Sequence, residues 1–215
     1  MATPILLLDT VVRMQSATGT EKNITAITKA AEAVITATHD FSIGDYILLD
    51  GIGGMTELNK RIVRVKAVST TVSFTAESLD STNFTTYTSG GTATKITSFV
   101  TFDNVTSFNY AEPQPNRIDV TTIHQNQKTE VFGLDDAPTA TMSMNADPLG
   151  AAIVELRKAS LAKSTRGFVV TTQTGQQLIF NAYVAGGRGF DGSVGAVATG
   201  QASMTFVSPE QWFAS

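Results

Sequence analysis

The residues able to do chemistry are few and scattered. The chain has two histidines and no cysteine. Without a thiol there is no disulfide, no thiolate nucleophile and no thiolate metal site. His39 stands beside Asp40 ahead of a predicted strand, and His124 lies in a long polar stretch. A zinc site takes three or four ligands, so both histidines read as surface or capping residues. No Gly-x-Ser-x-Gly elbow supports a nucleophilic triad. Asp50-Gly51-Ile52-Gly53-Gly54 is glycine-rich after a strand, but it lacks the Gly-Lys-Ser/Thr and the helix of a phosphate loop and reads as turn glycines. Asp135-Asp136 and Asp147 lack the alternating acidic spacing of a calcium loop; an Asx turn and a helix cap account for them. Gly186-Gly187-Arg188-Gly189 is a single basic-glycine segment in an acidic chain and reads as a flexible loop. The N-x-Thr triplets at Asn23, Asn83 and Asn104, with no secretion signal before them, read as chance matches. No catalytic, metal or cofactor site is expected, and the chain reads as a non-enzyme.

Composition narrows the class. At 215 residues the chain holds one large or two small domains. Hydrophobic content is 42%, enough for a packed core, while charged content is only 16%. Polar contacts must then come from Thr, Ser, Asn and Gln, which suits β-rich proteins. The net charge of −4 argues against a nucleic-acid binder, which needs a basic footprint. No stretch approaches the ~20 apolar residues of a membrane helix. The Ile5–Leu8 run meets Asp9 at once and reads as part of a strand, Pro4–Met14, rather than a signal peptide.

The elements that position everything else lie in 139–207. Ala140, Met142, Met144 and Ala146 alternate with Thr139, Thr141, Ser143 and Asn145, the period of a half-buried strand. Asp147 as N-cap and Pro148 at the first helical position predict a helix. Its apolar face is Ala151, Ala152, Ile153, Leu156, Ala159 and Leu161; Lys158 and Lys163 suit the C-terminal end of the dipole. Phe168–Thr172, a turn at Thr174-Gly175 and Gln177–Val184 follow, with Leu178, Phe180, Ala182 and Val184 on one face. After the glycine loop Gly186–Gly195, Ala198, Gly200, Ala202, Met204 and Phe206 alternate with polar residues. The expectation is one helix on a mostly antiparallel sheet.

Upstream, Gln15–Asn23 reads as a polar loop. Residues 24–97 carry short β-like runs at Ala33–Thr38, Tyr46–Leu49, Ile62–Val68, Val72–Ala76 and Thr92–Ile96, the spacing of a small barrel or sandwich. In Ile62–Val68, Val63, Val65 and Ala67 share one face and Arg64 and Lys66 the other. Strands are expected at Phe99–Val105 and Thr106–Tyr110, broken at Asp103-Asn104. Pro113 and Pro115 exclude a central strand and imply an exposed loop. Arg117–Glu130 shows no core pattern, so 111–130 reads as a long loop of the kind that is functional or ordered by a partner. Val131-Phe132-Gly133-Leu134 starts a strand.

In this order, Val105–Phe108, Ile118–Thr122, Val131–Asp136, the helix from Asp147 to Ala159 and Phe180–Val184 resemble the major tail tube protein of long, non-contractile-tailed bacteriophages. Gly44-Asp45-Tyr46, Gly51, Met55-Thr56-Glu57-Leu58-Asn59, Asp80-Ser81-Thr82, Tyr87 and Ser89-Gly90-Gly91 resemble a small β module of phage tail proteins. That module is similar to the first catalytic-cysteine half-domain of ubiquitin-activating enzymes. Lys60 stands where the module usually has Gly. With no cysteine, thioester chemistry is excluded.

The resemblance implies a mainly β fold with one α-helix: a tail-tube β-sandwich or barrel core, 1–23 and 98–215, with a small β-barrel, 24–97, inserted on the tube exterior. It implies a structural virion protein whose hexameric rings stack into a hollow tube conducting double-stranded DNA without sequence-specific binding. Implied partners are further copies of itself and the tape measure, distal tail and terminator proteins; no cofactor and no membrane are implied. The expected location is the virion tail, after synthesis in the bacterial host cytoplasm. A loop contacting the next ring would comprise Asn109, Tyr110, Glu112, Pro113, Pro115, Arg117, Asp119, Thr121, His124, Gln127, Lys128 and Glu130. The module motif comprises Gly44, Asp45, Gly51, Met55, Glu57, Leu58, Asn59, Tyr87, Gly90 and Gly91. Residues 24–97 hold six Lys/Arg against seven Asp/Glu, and the rest nine against twelve, so neither part is basic. Two alternatives stand beside this: a carbohydrate- or cell-surface-binding β module using Tyr46, Phe84 and Tyr87, which otherwise are core, and a minor tail component such as a terminator.

Overall fold

The computed structural model describes residues 8–112 and 115–214; the N-terminal part of the expected Pro4–Met14 strand lies outside them. The protein is mainly β with one α-helix. The strands are β1 Val11–Ile27, β2 Val34–Ala37, β3 Tyr46–Gly53, β4 Ile62–Ser69, β5 Ser73–Ala76, β6 Ser89–Phe102 and β7 Val105–Ala111. They continue with β8 Pro115–Asp119, β9 Glu130–Asp135, β10 Thr139–Asn145, β11 Thr165–Thr171, β12 Gln177–Gly186, β13 Thr199–Phe206 and β14 Gln211–Phe213. The helix, α1, is Ala151–Ala162.

All but β8 and β9 join one antiparallel sheet, ordered β2-β5-β4-β3-β6-β1-β11-β12-β13-β10-β7, with β14 on β12. A further pairing of β2 with β1 closes β1, β2, β5, β4, β3 and β6 into a barrel, which removes the open edges of that part. Its interior is apolar: Ile35, Ile47, Leu49, Val63, Val65 and Phe74 are buried together.

The second half of the sheet curls around its own core. Val12, Met14, Phe168, Phe180, Met204, Met142 and Leu156 belong to one buried cluster drawn from β1, β11, β12, β13, β10 and α1. Phe180 stacks on Phe168 at 5.2 Å and on Phe206 at 4.1 Å. The alternating residues of β10, β12 and β13 face inward as expected. β12 is buried on both faces, because Ile179 packs with Ile62, Ile96, Val169 and Phe213 in a third cluster where barrel and core meet. Polar contacts cross the same seam. Asn181 Nδ2 donates to the Lys60 carbonyl at 2.9 Å. The Tyr46 hydroxyl donates to Gln177 Oε1 at 2.8 Å, and Gln211 Nε2 donates to the Glu77 carbonyl at 2.8 Å.

Several expectations need correction. Gln15–Asn23 is not a loop but the middle of β1, paired along β6 with register shifts between Gln15 and Glu21. Ladder hydrogen bonds rather than burial hold it, so its polar sequence hides it; buried Gln15 accepts the Gly167 N–H at 3.0 Å. Asp50–Gly53 belongs to β3 instead of a turn. A bulge between Val65 and Ala67 turns Ala67 out to solvent, away from the face of Val63 and Val65. The helix starts after Gly150, not at Pro148. Asp147 makes no cap there; its carbonyl accepts the Gly150 N–H at 3.1 Å in a preceding turn. Leu161 is exposed. Among the named helix residues, Ala152, Leu156 and Ala159 are buried, and the helix packs on β12 and β6. The strand β14 has no counterpart in the sequence reading.

Candidate functional site

Two groups of residues carry the functional expectation, and the structure gives them different roles. The first is the 109–130 segment. It is not a featureless loop: β8 and β9 form a separate two-stranded ribbon, with Arg117 opposite Phe132, Ile118 opposite Val131 and Asp119 opposite Glu130. Pro115 opens β8, a position that needs no ladder N–H. Pro113 lies outside the described residues. The connection 120–129 is knitted by its own side chains. Asp119 accepts the Thr121 N–H at 2.8 Å, the Thr121 hydroxyl accepts the Thr129 N–H at 2.9 Å, and Gln125 accepts the Thr122 N–H at 3.0 Å. Glu130 pairs with Lys128 and, at 3.6 Å, with Arg117; the Lys128 ammonium holds its carboxyl below the usual range. His124, Gln127 and Glu112 are exposed.

The ribbon contributes nothing to the three buried clusters, yet it carries large apolar side chains in solvent: Ile123 is 96% exposed, Leu134 89% and Phe132 73%. Sequence reasoning missed these, although isolated apolar residues in a polar run without a core period were the available signal. Tyr110 departs from the expected group. It turns inward, stacks on Phe206 at 5.5 Å and donates to Glu210 at 2.8 Å. Burial, then that carboxylate, push its phenol up to about 12. Asn109, next to it, faces solvent.

The second group is the barrel motif, whose members serve the barrel's own backbone. Gly44 donates its N–H to Val65 at 2.8 Å. Asp45 accepts the Ser42 N–H at 2.7 Å and pairs with Lys95 at 2.7 Å. Met55 and Leu58 are fully buried around a single 3-10 turn, Thr56–Leu58. Glu57 accepts the Thr85 N–H at 2.8 Å, which draws its pKa down. Asn59 holds both backbone groups of Ile52: Oδ1 accepts the N–H at 2.7 Å, and Nδ2 donates to the carbonyl at 3.0 Å. The Tyr87 hydroxyl reaches the carbonyls of Ile24 and Gly90 at 3.1 and 3.0 Å. Gly51 sits across from Gly91, whose φ is +95° and where a Cβ would stand 2.6 Å from Ile52 Cγ1. Lys60, in place of the usual Gly, adopts φ +65° itself, a strained conformation for a residue with a Cβ.

The remaining chemistry is also placed. His39 is buried, not on the surface: it stacks on Phe41 at 4.9 Å, meets Phe74 edge-on, and accepts the Phe41 N–H on Nδ1 at 3.1 Å. Phe84 and Tyr87 pack on the barrel core and Tyr46 on the seam. Among the described residues no group of three His, Cys, Asp or Glu could hold a metal ion, and no helix is long and apolar enough to cross a membrane.

Residues 30–97, which span most of the barrel, match the family model of the ubiquitin-activating enzyme E1 FCCH domain. Residues 77–179, from the end of the barrel through the ribbon, β10 and α1 to β12, match the model of the lambda-like phage tail tube. Over those residues the chain is similar to the phage tail tube family. One solved structure similar to this chain is described as the tail of an empty GTA particle with C6 symmetry. It shares 12% identity, covering 54% of this chain and 87% of that chain, with a TM-score of 0.41. No curated protein matches.

Proposed function

We propose that this protein is a tail tube subunit, a structural component of a bacteriophage virion whose copies form hexameric rings stacked into a hollow tube. In this reading 1–23 and 98–215 form the tube wall, and 24–97 is a barrel carried outside. The observation that carries it is the uncovered ribbon. An isolated two-stranded hairpin is marginal in water, and covering each of Phe132, Leu134 and Ile123 contributes about 1.5–3 kcal/mol. A neighbouring ring is the surface that would cover them. Arg117, Asp119, Thr121, His124, Gln127, Lys128 and Glu130 then form the polar rim of that contact, with Asn109 and Glu112 at its root. The tube conducts double-stranded DNA; tape measure, distal tail and terminator proteins meet its ends and interior. Synthesis takes place in the host cytoplasm before incorporation into the tail.

Electron microscopy of the purified protein at rising concentration tests this. Hollow tubes with a regular axial repeat, lost when Phe132 and Leu134 are both replaced by Ser, support it. Tubes unaffected by that double change remove the ribbon from the contact. A chain that stays monomeric at every concentration counts against self-assembly.

A further inference from the structure

We infer that the groove between α1 and the loop after β12 is a socket for the β8–β9 ribbon of a second copy of this chain; this rests on the ribbon being an assembly contact, as read above. Ribbon and groove stand at opposite ends of one strand. The ribbon lies before β10, with β9 ending at Asp135 and β10 starting at Thr139. The groove lies at the far end of β10, where Met144 forms part of its floor. The six steps from Thr139 to Asn145 span about 20 Å, and the ribbon contributes no residue to the groove of its own chain.

The groove is apolar, positively charged and held in shape. Its volume is about 250 Å³, and buried Met144, half-buried Ile153 and exposed Phe190 give it an apolar surface. Arg157 straps its two walls together, donating from Nε to the Gly187 carbonyl at 3.1 Å and from Nη2 to the Pro148 carbonyl at 3.2 Å. Gly187, at φ +75°, lets the loop close on the helix; a Cβ there would stand 3.2 Å from Leu156 Cδ2. A surface fixed in this way loses little freedom on receiving a partner. Among the described residues neither Arg157 nor exposed Arg188 pairs with a carboxylate. Asp147 is the one acid in the lining, so two guanidiniums face one carboxylate.

The ribbon presents the converse. Phe132 and Leu134, two residues apart on β9, share a face. Exposed Asp135 and Asp136 follow them, again with no ion pair among the described residues. Apolar side chains beside two free carboxylates match an apolar groove beside two free guanidiniums. The contact joins one end of a chain to the other end of the next. It is heterologous, so it leaves a free ribbon and a free groove after every addition, and copies add head to tail.

With no native cysteine to compete, paired thiols test the contact. Leu134→Cys and Phe190→Cys change two exposed side chains. Placed beyond opposite ends of β10, they cannot bridge within one chain, since a disulfide needs Cα atoms within about 7 Å. Oxidised at the highest soluble concentration, the chain carrying both should give a ladder of covalent multimers on a denaturing gel. Microscopy of the same chain, reduced, scores tubes. A ladder with tubes supports the socket. Tubes without a ladder overturn the socket and leave the tube reading standing. A ladder without tubes supports the socket and brings down the tube reading. Neither ladder nor tubes overturns both. Dimers from Leu134→Cys alone in place of a ladder mark a symmetric ribbon contact, which also overturns the socket. As a second readout, Arg188→Glu should raise the concentration needed for assembly, followed by light scattering, roughly fivefold or more. In a chain that also carries Asp135→Lys and Asp136→Lys, Arg188→Glu should instead lower it. Losses that simply add refute the charge match.

Discussion

Asn59→Ala is the sharpest test of the barrel motif. Asn59 serves the N–H and the carbonyl of Ile52 at 2.7 and 3.0 Å, and Ile52 is 2% exposed. Leaving a buried backbone group unpaired costs about 1–3 kcal/mol, so two groups set a ceiling near about 6 kcal/mol. Asn59 is only half-buried, so water can reach one of the freed groups. The expected loss is then about 2–3 kcal/mol. Urea unfolding is the assay, followed by far-UV circular dichroism and by the single tryptophan, Trp212, which lies in β14 beside seam residue Phe213. With a slope of about 2 kcal/mol/M, the midpoint should fall by roughly 1–1.5 M at unchanged slope. Asn59→Asp keeps the acceptor for the N–H and loses the donor to the carbonyl, so it should recover less than half of the loss. A change below about 0.5 kcal/mol for Asn59→Ala would refute the role given to this side chain, since surface substitutions routinely do as little.

Other consequences can be checked alongside. Lys60→Gly relieves a left-handed residue at a cost of one exposed ion pair and some chain entropy, and should raise stability by up to about 1 kcal/mol in the same titration. Gly54→Ala places a Cβ 2.2 Å from the Thr86 carbonyl at φ +81°, so the soluble yield and melting temperature should drop sharply while Gly189→Ala, with open space around it, changes neither. Tyr110, held up at about 12, keeps its proton in the folded state while the unfolded phenol loses it near pH 10. Its stabilising contribution is therefore whole below about pH 10 and lost as pH rises toward 12. Tyr110→Phe should flatten that part of the stability profile, and an unchanged slope would show that another group carries it.

What the sequence made legible follows what burial does to a pattern. β10 and β13 bury one face, and their period-two alternation names the inward residues directly. β12 was placed for the same reason, but its second buried face was not foreseen. Ile179 and Asn181 meet residues far away in sequence, Ile62 and Lys60, and no local pattern encodes such a partner. Gln15–Asn23 failed for the opposite reason: a strand held by ladder bonds with solvent on much of its surface writes no hydrophobic signal. At the ribbon, the polar run and the two prolines pointed to an exposed segment. The pairing of Ile118 with Val131 was hidden because nothing beneath it enforces alternation. Lys60 marks the limit of motif reading: it stands where the module usually has Gly, yet it takes a left-handed backbone, φ +65°, of the kind glycine adopts without strain.

The continuity of β1 and β6 has a mechanical side. Both strands run from the core ladder into the barrel wall without interruption, paired with each other along the way. A pull on the barrel is therefore delivered along the strand axes and loads many ladder hydrogen bonds in shear rather than peeling them one at a time. A bridge of that kind is stiff under tension although no hinge peptide or covalent cross-link reinforces it. Drag on a body carried by such strands would be spread through the wall that bears it instead of concentrating at a flexible neck.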